Sequence, residues 1–199
     1  MSITEERWKK RQALSLAKYW DHPTWMDREK LKRNRLRWYH HLVKDVYKAP
    51  YDYGEKTVVE VGSGPWGIVS IIKAGKRIAV DPALEDFKER FQLSEGVRYL
   101  DSKGENIKLP DGVADVVFCS NVLNHVQNPE KVLSEIRRIL KGGGTLFFDC
   151  NLQPKDDLHP WSWTEKELLD MLRRHFQIRS YKRLKGERHY MVVVVAWKK

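Results

Sequence analysis

The residues best placed to do chemistry sit around a glycine-rich turn. Thr57–Val61 is a β-branched run that leads straight into Gly62-Ser63-Gly64-Pro65-Trp66-Gly67. Glycines there let the backbone turn tightly and let a ligand approach where a Cβ would clash. Asp81 closes the next apolar run, 19 positions after Gly62 and just ahead of Pro82. A carboxylate in that place can accept hydrogen bonds from both hydroxyls of a ribose. Glu60 lies inside the first apolar run, where a charge needs a partner. On its own the G-x-G-x-x-G spacing fits a dinucleotide site equally well.

Two histidines could move a proton. His125 follows the fourth apolar run and His159 lies in the loop after the fifth. Open α/β sheets bind ligands just past the carboxyl ends of their strands, so either imidazole is a candidate general base near neutral pH. The plainer role for each is a loop histidine that bonds backbone or packs. Cys119 and Cys150 end apolar runs and read as buried free thiols, with no metal or disulfide spacing between them.

These residues need a frame of alternating strands and helices. Strands are expected at Thr57–Val61, Arg77–Val80, Val97–Leu100, Ala114–Ser120 and Thr145–Asp149, with helices at Gly67–Ala74, Leu84–Leu93 and Pro129–Leu140. Gly142-Gly143-Gly144 is expected to cap the last of these helices. Thr164 and Glu167 form a capping box for a helix to about His175. Phe176–Leu184 and His189–Trp197 follow as two strands joined at Lys185–Gly186, which predicts an antiparallel edge. The result is an α/β protein, a Rossmann-like doubly wound, seven-stranded mixed sheet.

Ahead of it, residues 3–48 read as two helices, about Thr4–Trp20 and Asp27–Tyr47, broken at Asp21-His22-Pro23. Trp38, Leu42 and Val46 share a stripe with Leu31 and Arg35. We divide the chain into a helical extension, residues 1–50, and a main unit, residues 51–199. The extension would cover the ligand edge. Tyr19, Trp20, Trp25, Trp38, Tyr39, His40 and His41 are candidates to line a pocket beneath it.

Taken together, these blocks resemble the class I S-adenosylmethionine-dependent methyltransferases, in the methyltransferase 11 branch. The resemblance spans residues 57–150 clearly and implies S-adenosylmethionine as cofactor. It places Glu60 where the family carries an acid that orders the glycine loop and approaches the methionine amino group. Gly62, Ser63, Gly64, Asp81 and Pro82 would hold the methionine and ribose. Gly104 and Glu105, ahead of Leu109-Pro110-Asp111-Gly112, resemble the segment that contacts the adenine. Asn121, opening the segment to Val126, would line the methionine end. Asp115 matches an acid that reads as structural, and Trp66 stands where the family usually has glycine.

The acceptor is open to several readings. An in-line methyl transfer needs positioning and a deprotonated nucleophile, so a hydroxyl acceptor would draw on His125 or His159. A small molecule or glycan is the leading expectation. RNA is the alternative, because the net charge is +10 and residues 1–50 hold 13 Lys/Arg against 6 Asp/Glu; a protein substrate is a third. No Asn-Pro-Pro-Tyr motif follows the fourth strand. No leader and no apolar run long enough to span a bilayer are visible, so a cytoplasmic protein without membrane contact is expected.

Overall fold

The computed structural model describes residues 2–20, 25–186 and 189–198, with Trp25 and Met26 in backbone only. Its strands are β1 (Thr57–Val61), β2 (Lys76–Asp81), β3 (Arg98–Asp101), β4 (Ala114–Ser120), β5 (Leu140–Leu152), β6 (Gln177–Lys185) and β7 (Tyr190–Trp197). The α-helices are α1 (Glu5–Trp20), α2 (Trp25–His41), α3 (Leu84–Arg90), α4 (Pro129–Ile139) and α5 (Glu165–His175). One seven-stranded sheet runs in the order β3-β2-β1-β4-β5-β7-β6.

β1 is buried along its whole length, as its unbroken apolar texture requires of a strand covered on both faces. Strands β1 to β5 pair in parallel, and β7 runs antiparallel between β5 and β6. The register aligns Val61 with Val80 and with Cys119, and Ser120 with Asp149. The carboxyl ends of β1, β2, β4 and β5 therefore share one edge, and the chain order reverses between β1 and β4. That reversal opens the crevice where sheets of this kind take ligands.

Alternate side chains build a core on each face. On one, Val59, Val61 and Cys119 meet Val132, Leu133 and Ile136 of α4 and Leu168 and Leu172 of α5. On the other, Val58, Phe118 and Phe147 meet Leu42, Val43, Val46 and Tyr47. Asn128 caps α4 by accepting from the Lys131 N–H at 3.1 Å, and the Thr164–Glu167 capping box forms as expected.

Three local expectations are corrected. The helix expected over Gly67–Ala74 shrinks to a single 3-10 turn, Ile68–Ser70, because Ile68, Val69 and Ile72 are buried against the sheet and the Val69 N–H is taken by Glu60. The second N-terminal helix stops at His41 and continues as a wider π-helical turn, Leu42–Tyr47, ending at Lys48 with φ 53°. That turn aims four apolar side chains at the sheet, whereas Trp38 stays 41% exposed and leaves the expected stripe. The three glycines do not cap α4, since Leu140 already adopts an extended conformation and Gly142–Gly144 open β5. The final hairpin forms the expected antiparallel edge, with β7 inside the sheet and β6 outermost. The expected break at Asp21-His22-Pro23 lies outside the described residues.

Among the described residues no helix is long and apolar enough to cross a membrane. Cys119 and Cys150 are free and buried.

Candidate cofactor and acceptor site

A cavity of about 420 Å³ lies over the shared strand edge, roofed by α1 and by α2. Its volume is that of a site for a ligand of nucleoside size or somewhat larger. Gly62, Ser63, Gly64, Asp81 and Pro82 line one part of it, and Gly104 and Glu105 lie beside them. Asn121, His125 and His159 line the other part. Ten of the eleven candidate site residues thus meet on one wall system. Glu60 is the exception.

The loop after β1 explains why. Glu60 is buried beneath the glycine turn, where its Oε2 accepts from the Val69 N–H at 3.0 Å. Burial pushes its carboxyl up to about 8, against the pull of the Val69 and Ile68 N–H groups. It braces the loop from below and is not on the cavity wall. Gly67 is glycine because a Cβ there would collide with this carboxylate. Gly62 and Gly64 have φ +72° and +59°, a region that favours glycine, and a Cβ on Gly62 would strike Val122.

Asp81 ties the loops after β1 and β2 together. Its Oδ2 accepts from the Gly64 N–H at 2.9 Å and its Oδ1 from the Ala83 N–H at 3.0 Å. Burial raises its carboxyl above the usual range, opposed by those two bonds. Glu105 Oε1 takes the N–H groups of Gln127 and Asn128 at 2.7 and 3.1 Å, which fixes the loop after β4. Asn121 has φ 52°, which asparagine tolerates better than most residues. Asp115 is structural: it holds the Thr57 N–H and Lys141 at the opposite end of the strands.

The histidines come together. Their ring centroids are 4.6 Å apart. His159 Nδ1 lies 2.7 Å from Asp156 Oδ1, and His125 Nδ1 lies 3.2 Å from the Leu158 carbonyl. Burial, then the neighbouring His159, pushes His125 down to about 4. Burial also lowers His159, with Asp156 opposing it.

From the N-terminal helices, Tyr19, Trp20, Trp38 and Tyr39 line the cavity. His40 and His41 do not: they are exposed and bond to Tyr51 and Asp45. The Trp25 side chain lies outside the described residues. Trp66 is buried away from the cavity, with its Nε1 donating to the Gln92 carbonyl at 2.9 Å and its ring 4.9 Å from Phe91.

Sequence reasoning missed Trp8, Lys103, Asp149 and Gln153 on the cavity wall. Asp149 gave a signal, an acid closing an apolar strand just as Asp81 does. Burial pushes it up to about 6, against hydrogen bonds from Tyr47, Ser120 and the Asn121 backbone. Gln153 is 9% exposed and its Nε2 has no partner among the described residues. A buried donor of this kind calls for an acceptor, from water or from a ligand in the cavity.

An open, mostly parallel sheet with a glycine turn after β1, an acid after β2 and a roofed cavity at the switch point is the arrangement in which doubly wound α/β folds take nucleoside-containing ligands. Residues 59–148 match the family model of the methyltransferase domain. Thiol S-methyltransferase TMT1B of Rattus norvegicus is 36% identical over 102 residues, covering 47% of this chain and 42% of that one. The chain thus matches less than half the length of that relative. Among solved structures, the N-methyltransferase NodS of Bradyrhizobium japonicum, in complex with S-adenosyl-L-homocysteine, superposes with TM-score 0.65 at 11% identity, covering 95% of this chain and 98% of that one. A chain of the Haloferax volcanii complex between the Trm112 methyltransferase activator and a methyltransferase gives TM-score 0.68 at 13% identity, covering 99% of both chains. Over residues 59–148 the chain is thus similar to the methyltransferase domain family, and it shares the fold of a methyltransferase solved with S-adenosyl-L-homocysteine, the product left by the cofactor S-adenosylmethionine.

The residues present suit that cofactor. A Cβ on Gly64 would approach the Trp20 ring to 3.0 Å, so the cradle between turn and roof is open only to glycine. The unpartnered Gln153 amide marks the far side of the same cavity.

Proposed function

We propose that this chain transfers a methyl group from S-adenosylmethionine to a small-molecule acceptor bound beneath α1 and α2. The observation that carries the reading is one roofed cavity joining the glycine cradle and Asp81 to the paired imidazoles of His125 and His159.

Gly62, Ser63, Gly64, Asp81 and Pro82 would hold the methionine and ribose, Gly104 and Glu105 would flank the adenine, and Asn121 would lie at the methionine end. Glu60 acts through the loop it braces. When bound, the cofactor supplies a sulfonium-activated methyl group. The chain's own work is to position the acceptor, exclude water and take up a proton. Gln153 offers a donor to an acceptor oxygen, and His125 and His159 offer neutral imidazoles.

Cavity size supports a small acceptor over a polymer, because a cofactor of nucleoside-plus-amino-acid size takes up most of such a volume. A hydroxyl of a small molecule or of a single sugar unit fits this geometry. A thiol is the second reading, favoured by the relationship to TMT1B. RNA and protein acceptors would have to reach past α1.

The test is transfer of labelled methyl from S-adenosylmethionine into small-molecule, glycan, RNA and protein fractions of an extract, followed by defined thiols and phenols. Label confined to small molecules supports the proposal. Nuclease-sensitive or protein-bound label overturns the choice of acceptor, and no label in any fraction overturns the activity.

A further inference from the structure

We propose that Asp156 positions His159 as the proton acceptor for the group being methylated, making Asp156–His159 a working pair in the loop between β5 and α5. This rests on the methyltransferase reading above.

The pair is built so that one ring nitrogen is fixed, while the other has no hydrogen bond among the described residues. Asp156 Oδ1 accepts from the Leu158 N–H at 2.8 Å, from the His159 N–H at 2.7 Å, and faces His159 Nδ1 at 2.7 Å. The Asp156 carbonyl in turn takes Arg11 of α1 at 2.7 Å. Although burial opposes it, the bonds from Leu158 and His159 hold the Asp156 carboxyl below its ordinary value, so it is ionised. An ionised carboxylate can only accept, so Nδ1 carries the ring proton and Nε2 keeps the lone pair. His159 is 6% exposed and lines the cavity.

His125 cannot compete for the same duty on equal terms. Its Nδ1 faces only a neutral carbonyl, and burial beside His159 pushes it down to about 4. A carboxylate partner stabilises the imidazolium that forms in the reaction, and a carbonyl does so less. The other groups bearing on His159 are Lys18 of α1 and His189 ahead of β7, both of which disfavour its charged form. Asp156 is the one group here that favours it.

In the step proposed, the acceptor's X–H bond breaks and its proton passes to His159 Nε2. The electron pair of that bond forms the new bond to the methyl carbon. The carbon–sulfur bond of the sulfonium donor breaks with its pair left on sulfur, giving a neutral thioether. His159 returns its proton to solvent after product leaves.

Asp156→Asn keeps an oxygen for the two backbone N–H groups, so it tests the charge with the loop intact. The first measurement is the tautomer of His159 by ¹⁵N NMR in wild type and D156N. The Nδ1–H form is expected in wild type, with a shift towards mixed tautomers in the variant. The second is the pH profile of kcat. D156N is expected to lower kcat about 100-fold and to move the acid limb to lower pH, with S-adenosylhomocysteine affinity unchanged by calorimetry. His159→Gln should abolish that limb. An Nε2–H tautomer in wild type, or an acid limb unmoved in D156N, overturns the proposal even in an active enzyme. If wild type transfers no methyl, the functional reading fails, and the tautomer measurement still decides whether Asp156 sets the ring.

Discussion

Asp81 gives each oxygen to a different loop, and both are backbone bonds on the cavity wall. Its carboxylate can therefore meet a ribose only while it also holds Gly64 and Ala83 in place. Asp81→Ala is expected to weaken S-adenosylhomocysteine binding by on the order of 1–3 kcal/mol, the range for hydrogen bonds to a charged group. Isothermal calorimetry reads it directly, and unchanged affinity would take Asp81 out of the site. Gln153 gives a contrasting case: its Nε2 has no hydrogen-bond partner among the described residues. Gln153→Leu should raise KM for the acceptor and leave cofactor affinity alone, and a variant with both constants unchanged would leave its amide without a ligand. The cavity lining from Gly62 to Gly64 and at Asp81 was legible because glycine spacing and a strand-ending acid are local patterns. Gln153, Trp8 and Lys103 were not, because nothing local distinguishes a polar or aromatic residue that faces a cavity from one that faces water. His40 and His41 show the converse, plausible types on a helix face that turns outward.

At the scale of elements, α1 is the piece that closes the site. Trp8 packs under Lys103, whose ammonium lies 4.1 Å from the ring centroid and also pairs with Glu5. Gln12 donates to the His125 carbonyl at 3.2 Å, and Arg11 reaches the Asp156 carbonyl. Trp20 stands edge-on to Phe87 and Phe91 at 5.5 and 6.1 Å. One helix thus touches α3 and the segments following β3, β4 and β5. Trp8→Ala should release it: amide exchange is expected to rise throughout α1 and stay constant in β1 and β4, by hydrogen–deuterium exchange mass spectrometry. Exchange rising equally in the sheet would mean that α1 is part of the cooperative core. The helices were legible from periodicity and caps. The shortened segment at Ile68–Ser70 was not, since a β-branched apolar run reads as helix or turn until Glu60 is seen to take its N–H.

Over the whole molecule, the buried acids and His125 pull stability in opposite directions with pH. Glu60 and Asp149 sit above their ordinary values in the folded chain, at about 8 and about 6, so the native state binds more protons than the unfolded one below those values. Their contribution is present at low pH and is lost as pH rises through them. His125 is depressed from 6.5 to about 4, so its contribution is present above 6.5 and lost as pH falls towards 4. Between pH 6.5 and 8, Glu60 alone of these three is still titrating. Denaturant midpoints should fall across that interval in wild type and level out in Glu60→Gln. An identical slope in both would mean that Glu60 ionises freely. The seven-stranded doubly wound architecture was legible as a whole because strands and helices alternate over residues 57–175. The place of the last strand was not, since hairpin chemistry fixes who pairs with whom but not which partner faces outward.

The position of β7 also says something about the order in which this chain becomes a protein. It is the last strand in sequence, yet it lies between β5 and β6, pairing Phe148 with Val194 on one side and Tyr181 with Val194 on the other. Until its residues leave the ribosome, β5 presents an unpaired edge and β6 has nothing to pair with. Nascent chains lacking it would carry the whole glycine cradle but an open, apolar strand, the kind of edge that recruits other chains. Productive folding of the sheet then waits for β7, and the same late strand that completes the sheet decides whether the half-made molecule aggregates or closes.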